Sequence, residues 1–348
     1  MGREAFADPP LTAEKARDSL PTVQRISIAI GAGIASALLF AVTVKVTVLA
    51  LLLGYLAPLP IFIVSLGWGL DIGTMAGIIA GVATGAVFEP LSGALLVLTI
   101  ALPAWILSLV ALLPVGKLLG PAAGSATPTP IAPGKILATA VAISAAIGLA
   151  TLISLTIVYG GYAKGVEALV AGLTPELKQA VDEVVTPPAG YSAEDFYALI
   201  VRLSPAAIAA STVLMLSINL YIGGRSVQLS HRLPRPWPNL PESLVLPPAL
   251  GIALVAAAAL SLLLPAPVNQ LAWIASGALG VAYILQGLAV LHAISRGLPA
   301  RAPLLAGLYL GSLITATWSL PILALVGLLD SLLSLRARRA AADLKPRT

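Results

Sequence analysis

The sequence predicts an all-α protein, a polytopic transmembrane helical bundle of about eight to ten spans. The chain has 348 residues, of which 58% are hydrophobic and only 10% are charged. A soluble domain carries about 25% charged residues, so no aqueous fold could cover this much apolar surface. Five glycines also recur at every fourth position between 69 and 85. In a water-exposed helix each would cost about 1 kcal/mol relative to alanine, so the pattern favours helices packed in lipid.

Hydrophobic segments define the expected spans, since about twenty apolar residues cross a bilayer core. Eight segments lie at 26–43, 46–67, 69–88, 92–115, 135–160, 203–223, 244–264 and 270–293, and a longer run follows at 302–335. The uncharged part of this last run, 302–329, would span about 42 Å against a core of about 30 Å. Pro321 lies inside the run and removes one backbone hydrogen bond. We therefore expect a broken pair of short segments there, and ten passes in preference to eight.

The distribution of lysine and arginine predicts the orientation, because these residues collect on the cytoplasmic side of a membrane. A ten-pass arrangement places most of them on one side, together with both termini. This predicts a protein of the cytoplasmic (inner) membrane with a transmembrane domain at 25–336, flanked by a cytoplasmic tail at 1–24 and a basic cytoplasmic tail at 337–348. Within the domain we expect an acidic outer loop at 161–202 and a proline-rich cytoplasmic loop at 224–243.

Two sets of small residues predict close helix packing or partner docking. The first, called here the glycine ladder, comprises Gly69, Gly73, Gly77, Gly81 and Gly85. The second, called here the first-span strip, comprises Ala29, Gly33, Ala37 and Ala41. Residues four apart lie on one helix face, where small side chains let another backbone approach closely. The two faces can pack together, or one can be kept for a partner protein. Internal packing is the simpler interpretation of the ladder.

Polar residues inside apolar segments are the candidate site residues. The set that can contact a ligand or hold the helices together comprises Tyr55, Trp68, Asp71, Asn219, Gln286, His292 and Asp330. Asp71 favours the positive N-terminal end of its helix. Asp330, six residues before Arg336, is close enough to the inner interface to be hydrated or to pair with the basic tail. For Asn219, Gln286 and His292 we expect interhelical hydrogen bonds in preference to ligand contacts.

Several classes of site are excluded by residue type. Cysteine is absent, which excludes thiolate nucleophiles and cysteine-ligated metals. Only two histidines occur, and there is no HExxH motif. Asp71 and Asp330, which lie in apolar contexts, lack the Gly-x-Gly-Asp order of intramembrane proteases, and the basic residues form no continuous stripe for nucleic acid. We therefore expect no enzyme activity, metal, cofactor or nucleic-acid partner.

Several short segments carry a family resemblance. Near the N-terminus are YLAPLP at 55–60 and GWG at 67–69, and near the C-terminus are AYILQGLAVLH at 282–292, LVGLLD at 325–330 and RARR at 336–339. These resemble the YybS-like family of uncharacterised bacterial membrane proteins (domain of unknown function 2232). That family is distantly similar to the substrate-binding S subunits of energy-coupling-factor vitamin transporters. The resemblance implies an S-component-like core in which Gly33, Ala37 and Ala41 dock onto a coupling subunit.

Two functions follow as hypotheses. The first is a transporter-like protein that binds a small metabolite among its helices, with a separate energising complex of coupling and ATPase subunits. The chain itself has no GxxxxGK[ST] nucleotide-binding loop. Broken segments at Pro58 and Pro60, and around Pro321, are the expected cavity-lining positions. The alternative is a non-transporting membrane scaffold or assembly or regulatory factor, which would hold partners through the glycine ladder, the basic tail or the proline-rich loop.

Overall fold

The computed structural model describes residues 21–45, 47–113, 131–184, 187, 190, 192–233, 236–336 and 338. Every regular element in this part of the chain is a helix, which confirms the all-α class. Eight of the described helical segments are long and apolar enough to span a membrane, and two shorter apolar helices accompany them. The predicted range of eight to ten spans fits this set.

The chain forms two compact units. Unit 1 lies within Met1–Pro130 and Ile218–Trp237, and unit 2 lies within Ile131–Ser217 and Pro238–Thr348. The described helices of unit 1 are α1 (Thr22–Ala41, followed by a 3-10 turn at Val42–Lys45), α2 (Val48–Gly54), α3 (Leu59–Trp68), α4 (Leu70–Val87), α5 (Pro90–Leu96, followed by a π-helical turn at Val97–Ala101) and α6 (Leu102–Leu112).

Unit 2 contains the remaining elements. They are α7 (Pro133–Val158), α8 (Tyr162–Ala171), α9 (Pro175–Val184), α10 (Ala193–Leu229), α11 (Leu240–Ser243), α12 (Pro248–Leu263), α13 (Asn269–Ile294), α14 (Arg301–Ile314) and α15 (Ala316–Leu333). Helix α10 is shared, because its last residues, from Ile218 onward, belong to unit 1. Most of the predicted tails at 1–24 and 337–348 lies outside the described residues, and α1 begins at Thr22.

The second span is broken in the middle by its prolines. Helix α2 ends at Gly54 and α3 begins at Leu59, immediately after Pro58. Pro58 has no backbone N–H to continue the hydrogen-bond ladder, and Pro60 is tolerated only because it lies in the first turn of α3. Helix α3 then ends at Gly69, whose φ of 123° is open to glycine and strained for other residues. The chain therefore turns sharply from α3 into α4.

The last apolar run is a pair of helices, as predicted, but the break does not lie at Pro321. It lies at Thr315, between α14 and α15, and Pro321 is accommodated inside α15. The Gly311 carbonyl accepts both the N–H and the hydroxyl of Thr315, each at 2.8 Å. The Ser319 hydroxyl donates across the break to the Ser312 carbonyl at 3.2 Å, so this carbonyl is satisfied within the protein.

Helix α10 is much longer than the apolar segment at 203–223. At about 1.5 Å per residue its 37 residues extend roughly 55 Å. The Ser192 hydroxyl accepts the N–H of Asp195 at 3.1 Å and caps the helix start. Pro205 lies inside the helix, and the Ser204 hydroxyl donates to the Val201 carbonyl that Pro205 leaves without its usual partner, at 2.8 Å. The helix therefore includes residues 193–202 and 224–229, at the edges of the two loops expected from the sequence.

Candidate functional site

The broken second span carries two carbonyl groups that neighbouring helices satisfy. Asn219 of α10 donates its side-chain amide to the Tyr55 carbonyl at 2.6 Å. Ser36 of α1 donates its hydroxyl to the Ala57 carbonyl at 2.8 Å. Asn219 and Ser36 are 1% and 0% exposed. We call Ser36, Tyr55, Ala57 and Asn219 the break site. Each side chain supplies a donor that the interrupted helix lacks, which is how irregular backbone is stabilised at membrane depth.

The first-span strip packs within unit 1 against α4. A Cβ atom added to Gly33 would lie 2.7 Å from the Ala76 carbonyl oxygen and 2.8 Å from the Ile79 Cβ. Ala29 is fully buried in a core cluster that includes Ala76. Ala37 is also buried, and Ala41 is half-buried. In this structure Gly33 and Ala37 are therefore covered by the protein's own helices, and the strip serves helix packing.

The glycine ladder contacts other helices than the strip does. Gly69 caps α4, and the remaining four glycines lie along it. A Cβ on Gly73 would overlap Ser65 of α3, and one on Gly81 would overlap Val97 of the π-helical turn. A Cβ on Gly77 would lie 3.3 Å from the Ala101 Cβ. One face of α4 thus packs against α1, and the glycine ladder packs against α3 and the π-helical turn that follows α5. The first-span strip and the glycine ladder therefore do not pack on each other.

One end of unit 1 gathers charged and aromatic side chains. Arg25 of α1 forms an ion pair with Asp71, in the first turn of α4, where a negative charge also complements the helix dipole. The guanidinium of Arg232 lies 4.6 Å from the centroid of the Trp68 ring, within cation–π range. Trp68 in turn packs against the core cluster between α1 and α4. We call Arg25, Trp68, Asp71 and Arg232 the charged end.

In unit 2, helices α13 and α15 cross with their backbones in contact. A Cβ on Gly287 would overlap the Leu323 carbonyl oxygen, and a Cβ on Gly327 would overlap the Tyr283 carbonyl oxygen. Only glycine at both positions permits this approach. The spacing of small residues does not predict this pair, although both glycines lie in apolar stretches that carry the family resemblance.

Gln286 lies beside this crossing and is fully buried. Its Nε2 donates to the Gly327 carbonyl at 3.0 Å and to the Ser331 hydroxyl at 2.8 Å, and it lies 3.3 Å from Asp330 Oδ2. Its Oε1 accepts the backbone N–H of Leu246 at 2.8 Å. Gln286 therefore connects three parts of unit 2: α13, α15 and the segment that precedes α12.

Asp330 and Arg336 form a buried ion pair at the end of α15, with side chains only 3% and 10% exposed. Arg336 Nη2 lies 2.6 Å from Asp330 Oδ2, and its Nη1 and Nη2 also donate to the Pro241 and Leu244 carbonyls at 2.8 Å. Ser334, between them, has a left-handed φ of 52° that turns the chain back. We call Gln286, Asp330, Ser331 and Arg336 the C-terminal network. Arg336, six residues after Asp330, thus provides the pairing with the basic C-terminal region.

His292 lies in the last turn of α13. Its Nδ1 is 3.0 Å from the Leu288 carbonyl oxygen, so this nitrogen carries the hydrogen. Its ring meets that of Tyr309 of α14 edge to face, with centroids 5.8 Å apart. Among the described residues, no group of three or more histidine or acidic side chains is placed to hold a metal ion. His292 thus joins α13 to α14.

Comparison with known proteins identifies the family. A family model described as "Predicted membrane protein (DUF2232)" matches residues 34–331, which is most of the chain. No curated protein and no solved structure gives a match. The family resemblance carried by the terminal segments is confirmed, and the more distant similarity to S subunits stays a prediction. The chain is a multi-pass membrane protein, and it belongs to the DUF2232 family.

Proposed function

We propose that this protein is transporter-like and non-enzymatic, and that it binds a small polar metabolite at the break site. The observation that carries the proposal is the 2.6 Å hydrogen bond from Asn219 to the Tyr55 carbonyl at a mid-span helix break. Broken helices near the bilayer midplane form the substrate sites of many transporters, since their freed carbonyls can bind ligands. At the rise of an α-helix, Tyr55 lies roughly 20 Å from Trp68, the last residue of the second span. This distance is consistent with a position of Tyr55 inside the hydrocarbon core of the bilayer.

The chemistry of the break site favours an uncharged ligand. Its groups are two carbonyl acceptors, one amide and one hydroxyl, all neutral. A ligand with both hydrogen-bond donors and acceptors could replace the two internal hydrogen bonds without bringing an uncompensated charge into the apolar core. The wild-type contacts would then represent the closed, ligand-free arrangement.

We further propose that energy comes from separate coupling and ATPase subunits. The protein would lie in the cytoplasmic membrane with both ends in the cytoplasm, as the lysine and arginine distribution favours. Because Gly33 packs against α4 and Ala37 is buried, a coupling subunit would have to dock on another surface than the first-span strip. Reporters fused to the two ends test the orientation, and signals from opposite faces would contradict it.

The binding proposal is tested by thermal unfolding of the purified full-length protein against a panel of neutral and charged metabolites. A ligand at about 100 times its Kd stabilises the native state by about 2.7 kcal/mol and raises the melting temperature. We expect one class of neutral polar compounds to do so, and Asn219→Leu to remove the effect. Ser27→Ala is the matched control, since the Ser27 hydroxyl bonds only a carbonyl of its own helix, Val23. No stabilisation by any compound, or full stabilisation in Asn219→Leu, would contradict the proposal.

A scaffold is the second candidate, favoured by one observation. Helix α14 has no buried residue, and large apolar side chains there and at the start of α15 are open: Leu310 62%, Leu313 79%, Ile314 82% and Trp318 75% exposed. Such a surface suits lipid or a partner helix. Affinity capture in mild detergent separates the two functions. Recovery of an ATPase with a coupling subunit supports transport, whereas recovery of other envelope proteins supports a scaffold.

A further inference from the structure

The start of helix α10 carries an open cleft that is separate from the break site. The cleft has a volume of about 230 Å³ and is lined by Gly190, Asp195, Ala198, Leu199 and Arg202. All five residues belong to unit 2 and precede the apolar segment at 203–223. Pockets for drug-sized ligands have volumes of about 300–1,000 Å³. This cleft therefore suits a smaller molecule.

Four of the lining residues form one face of α10. Asp195, Ala198, Leu199 and Arg202 follow the i, i+3, i+4, i+7 spacing of a helix face. The half-buried Ala198 and Leu199 thus lie between the two charged residues. Gly190 contributes the remaining wall, with a φ of 92° that is open to glycine and strained for other residues. The cleft therefore has a negative end, an apolar floor and a positive end.

The charged side chains at the two ends are accessible. Asp195 and Arg202 are both exposed. Asp195 accepts the Ser192 hydroxyl at 2.6 Å through Oδ2 and has a second carboxylate oxygen. In the part of the chain that the structure describes, Arg202 forms no ion pair. Both ends can therefore receive a ligand of opposite charge.

Hydrogen bonds fix the helices around the cleft. The Tyr162 hydroxyl of α8 donates to the Arg202 carbonyl at 3.1 Å. The Tyr197 hydroxyl of α10 donates to Asp182 of α9 at 3.0 Å, and Lys178 Nζ lies 5.7 Å from the centroid of the Tyr197 ring. These contacts hold α8 and α9 on α10. A cleft whose walls are fixed in advance loses little freedom when a ligand binds.

We propose that this cleft binds a small zwitterion of dipeptide length, with its ammonium group at Asp195 and its carboxylate at Arg202. The guanidinium offers paired N–H donors that match a carboxylate. Seven residues of helix separate the two Cα atoms by about 10.5 Å. Both side chains lean toward the start of the helix, so the gap between their charged groups is of the same order. Charge-assisted hydrogen bonds of about 2.8 Å at each end leave roughly 5 Å between the charged groups of the ligand.

This spacing distinguishes a dipeptide from a single α-amino acid. In an α-amino acid one carbon atom separates the ammonium nitrogen from the carboxyl carbon, so the molecule is too short to reach both ends. One further residue adds about 3.5 Å. The inference is independent of the break site, whose neutral groups favour an uncharged ligand.

The test measures ligand-dependent thermal stability of the full-length protein in a neutral detergent. The probes are glycylglycine, glycine, N-acetylglycylglycine, which lacks the ammonium group, and glycylglycinamide, which lacks the carboxylate. We expect glycylglycine alone to raise the melting temperature in a saturable way. Asp195→Asn and Arg202→Gln should each weaken its apparent affinity about fivefold, the upper end of what an exposed ion pair contributes.

Matched variants keep the result interpretable. Asparagine at 195 keeps an acceptor for the Ser192 hydroxyl, so the start of α10 stays intact. Glu194→Gln and Lys164→Gln remove exposed charges that do not line the cleft, and they should leave the affinity unchanged. Asn219→Leu should keep the full response, so this proposal and the break-site proposal fail separately.

Four results would each overturn the proposal. They are no saturable stabilisation by glycylglycine, an equal effect of glycine or of either one-ended probe, an equal loss of affinity in the two control variants, and loss of the response in Asn219→Leu, which would assign the ligand to the break site.

Discussion

The break site of unit 1 and the C-terminal network of unit 2 both satisfy polar atoms inside an apolar helix bundle, but they use different groups to do so. In unit 1 every participating group is neutral, and each carbonyl receives one side-chain donor. In unit 2 a carboxylate and a guanidinium are buried together with Gln286 and two backbone carbonyls. Loss of one neutral partner leaves an unsatisfied dipole, whereas loss of one charged partner leaves an ion. The two units should therefore differ in their sensitivity to mutation.

The largest effect is expected for Arg336→Gln. The substitution leaves the Asp330 carboxylate, which is 3% exposed, without its counter-ion. Breaking a buried ion pair from one side costs about 3–5 kcal/mol, and we expect the free energy of unfolding to fall by that amount. Equilibrium unfolding in mixed micelles measures it.

A matched control and a double variant sharpen this result. Arg296→Gln removes an ion pair with Glu242 in the same unit, but those side chains are 41% and 58% exposed, so the loss should stay below about 1 kcal/mol. Asp330→Asn combined with Arg336→Gln removes both charges and should recover much of the stability lost in the single variant. Equal effects of Arg296→Gln and Arg336→Gln would show that burial does not distinguish the two pairs.

The next largest effect is expected at the crossing of α13 and α15. Gly287→Ala places a methyl group against the Leu323 carbonyl, so the helices must separate and the contacts around Gln286 must lengthen. Overpacking of this kind costs about 1–3 kcal/mol in unfolding free energy. Gly280→Ala is the control, because it lies in the same helix with open space around an added Cβ, and alanine favours the helix. A Gly287→Ala protein as stable as the control would argue against direct backbone contact.

The smallest of the three effects is expected in unit 1. Ser36→Ala removes the hydroxyl that donates to the Ala57 carbonyl and changes little else. Interhelical hydrogen bonds in membrane proteins contribute about 0.6 kcal/mol on average and up to about 1.7 kcal/mol. We expect a decrease in unfolding free energy within this range, measured in the same micelles. A decrease as large as that of Arg336→Gln would contradict the expected difference in sensitivity between the neutral break site and the charged C-terminal network.

Much of the fold could be predicted because the length of an apolar segment indicates directly whether it can span the membrane. The segments 69–88 and 270–293 agree with Leu70–Val87 and Asn269–Ile294 to within a residue or two. Length says less about where a helix ends in water, so the start of α10 at Ala193 depends on a local cap by Ser192. Length also says little about breaks: the last apolar run is interrupted at Thr315, whereas Pro321 is accommodated inside α15.

The site was harder to predict, because the acceptor in its main hydrogen bonds is a backbone carbonyl, which the side-chain sequence does not specify. Asn219 and Gln286 stand out in an apolar sequence, but their partners are the Tyr55 and Gly327 carbonyls, which any residue type would offer. The sequence indicates that Asp330 can pair with the basic tail, but it does not reveal that Arg336 also reaches the Pro241 and Leu244 carbonyls. The left-handed turn at Ser334, which returns Arg336 to Asp330, is not a pattern that hydropathy or charge reveals.

The ion pair at the end of α15 has a consequence for how the protein is made. During synthesis the last span reaches the translocon with a carboxylate at its end, and the neutralising guanidinium emerges only six residues later. Its other acceptors, at Pro241 and Leu244, were translated some ninety residues earlier. A polypeptide truncated just before Arg336 would keep its candidate spans but would leave the buried Asp330 carboxylate without its counter-ion.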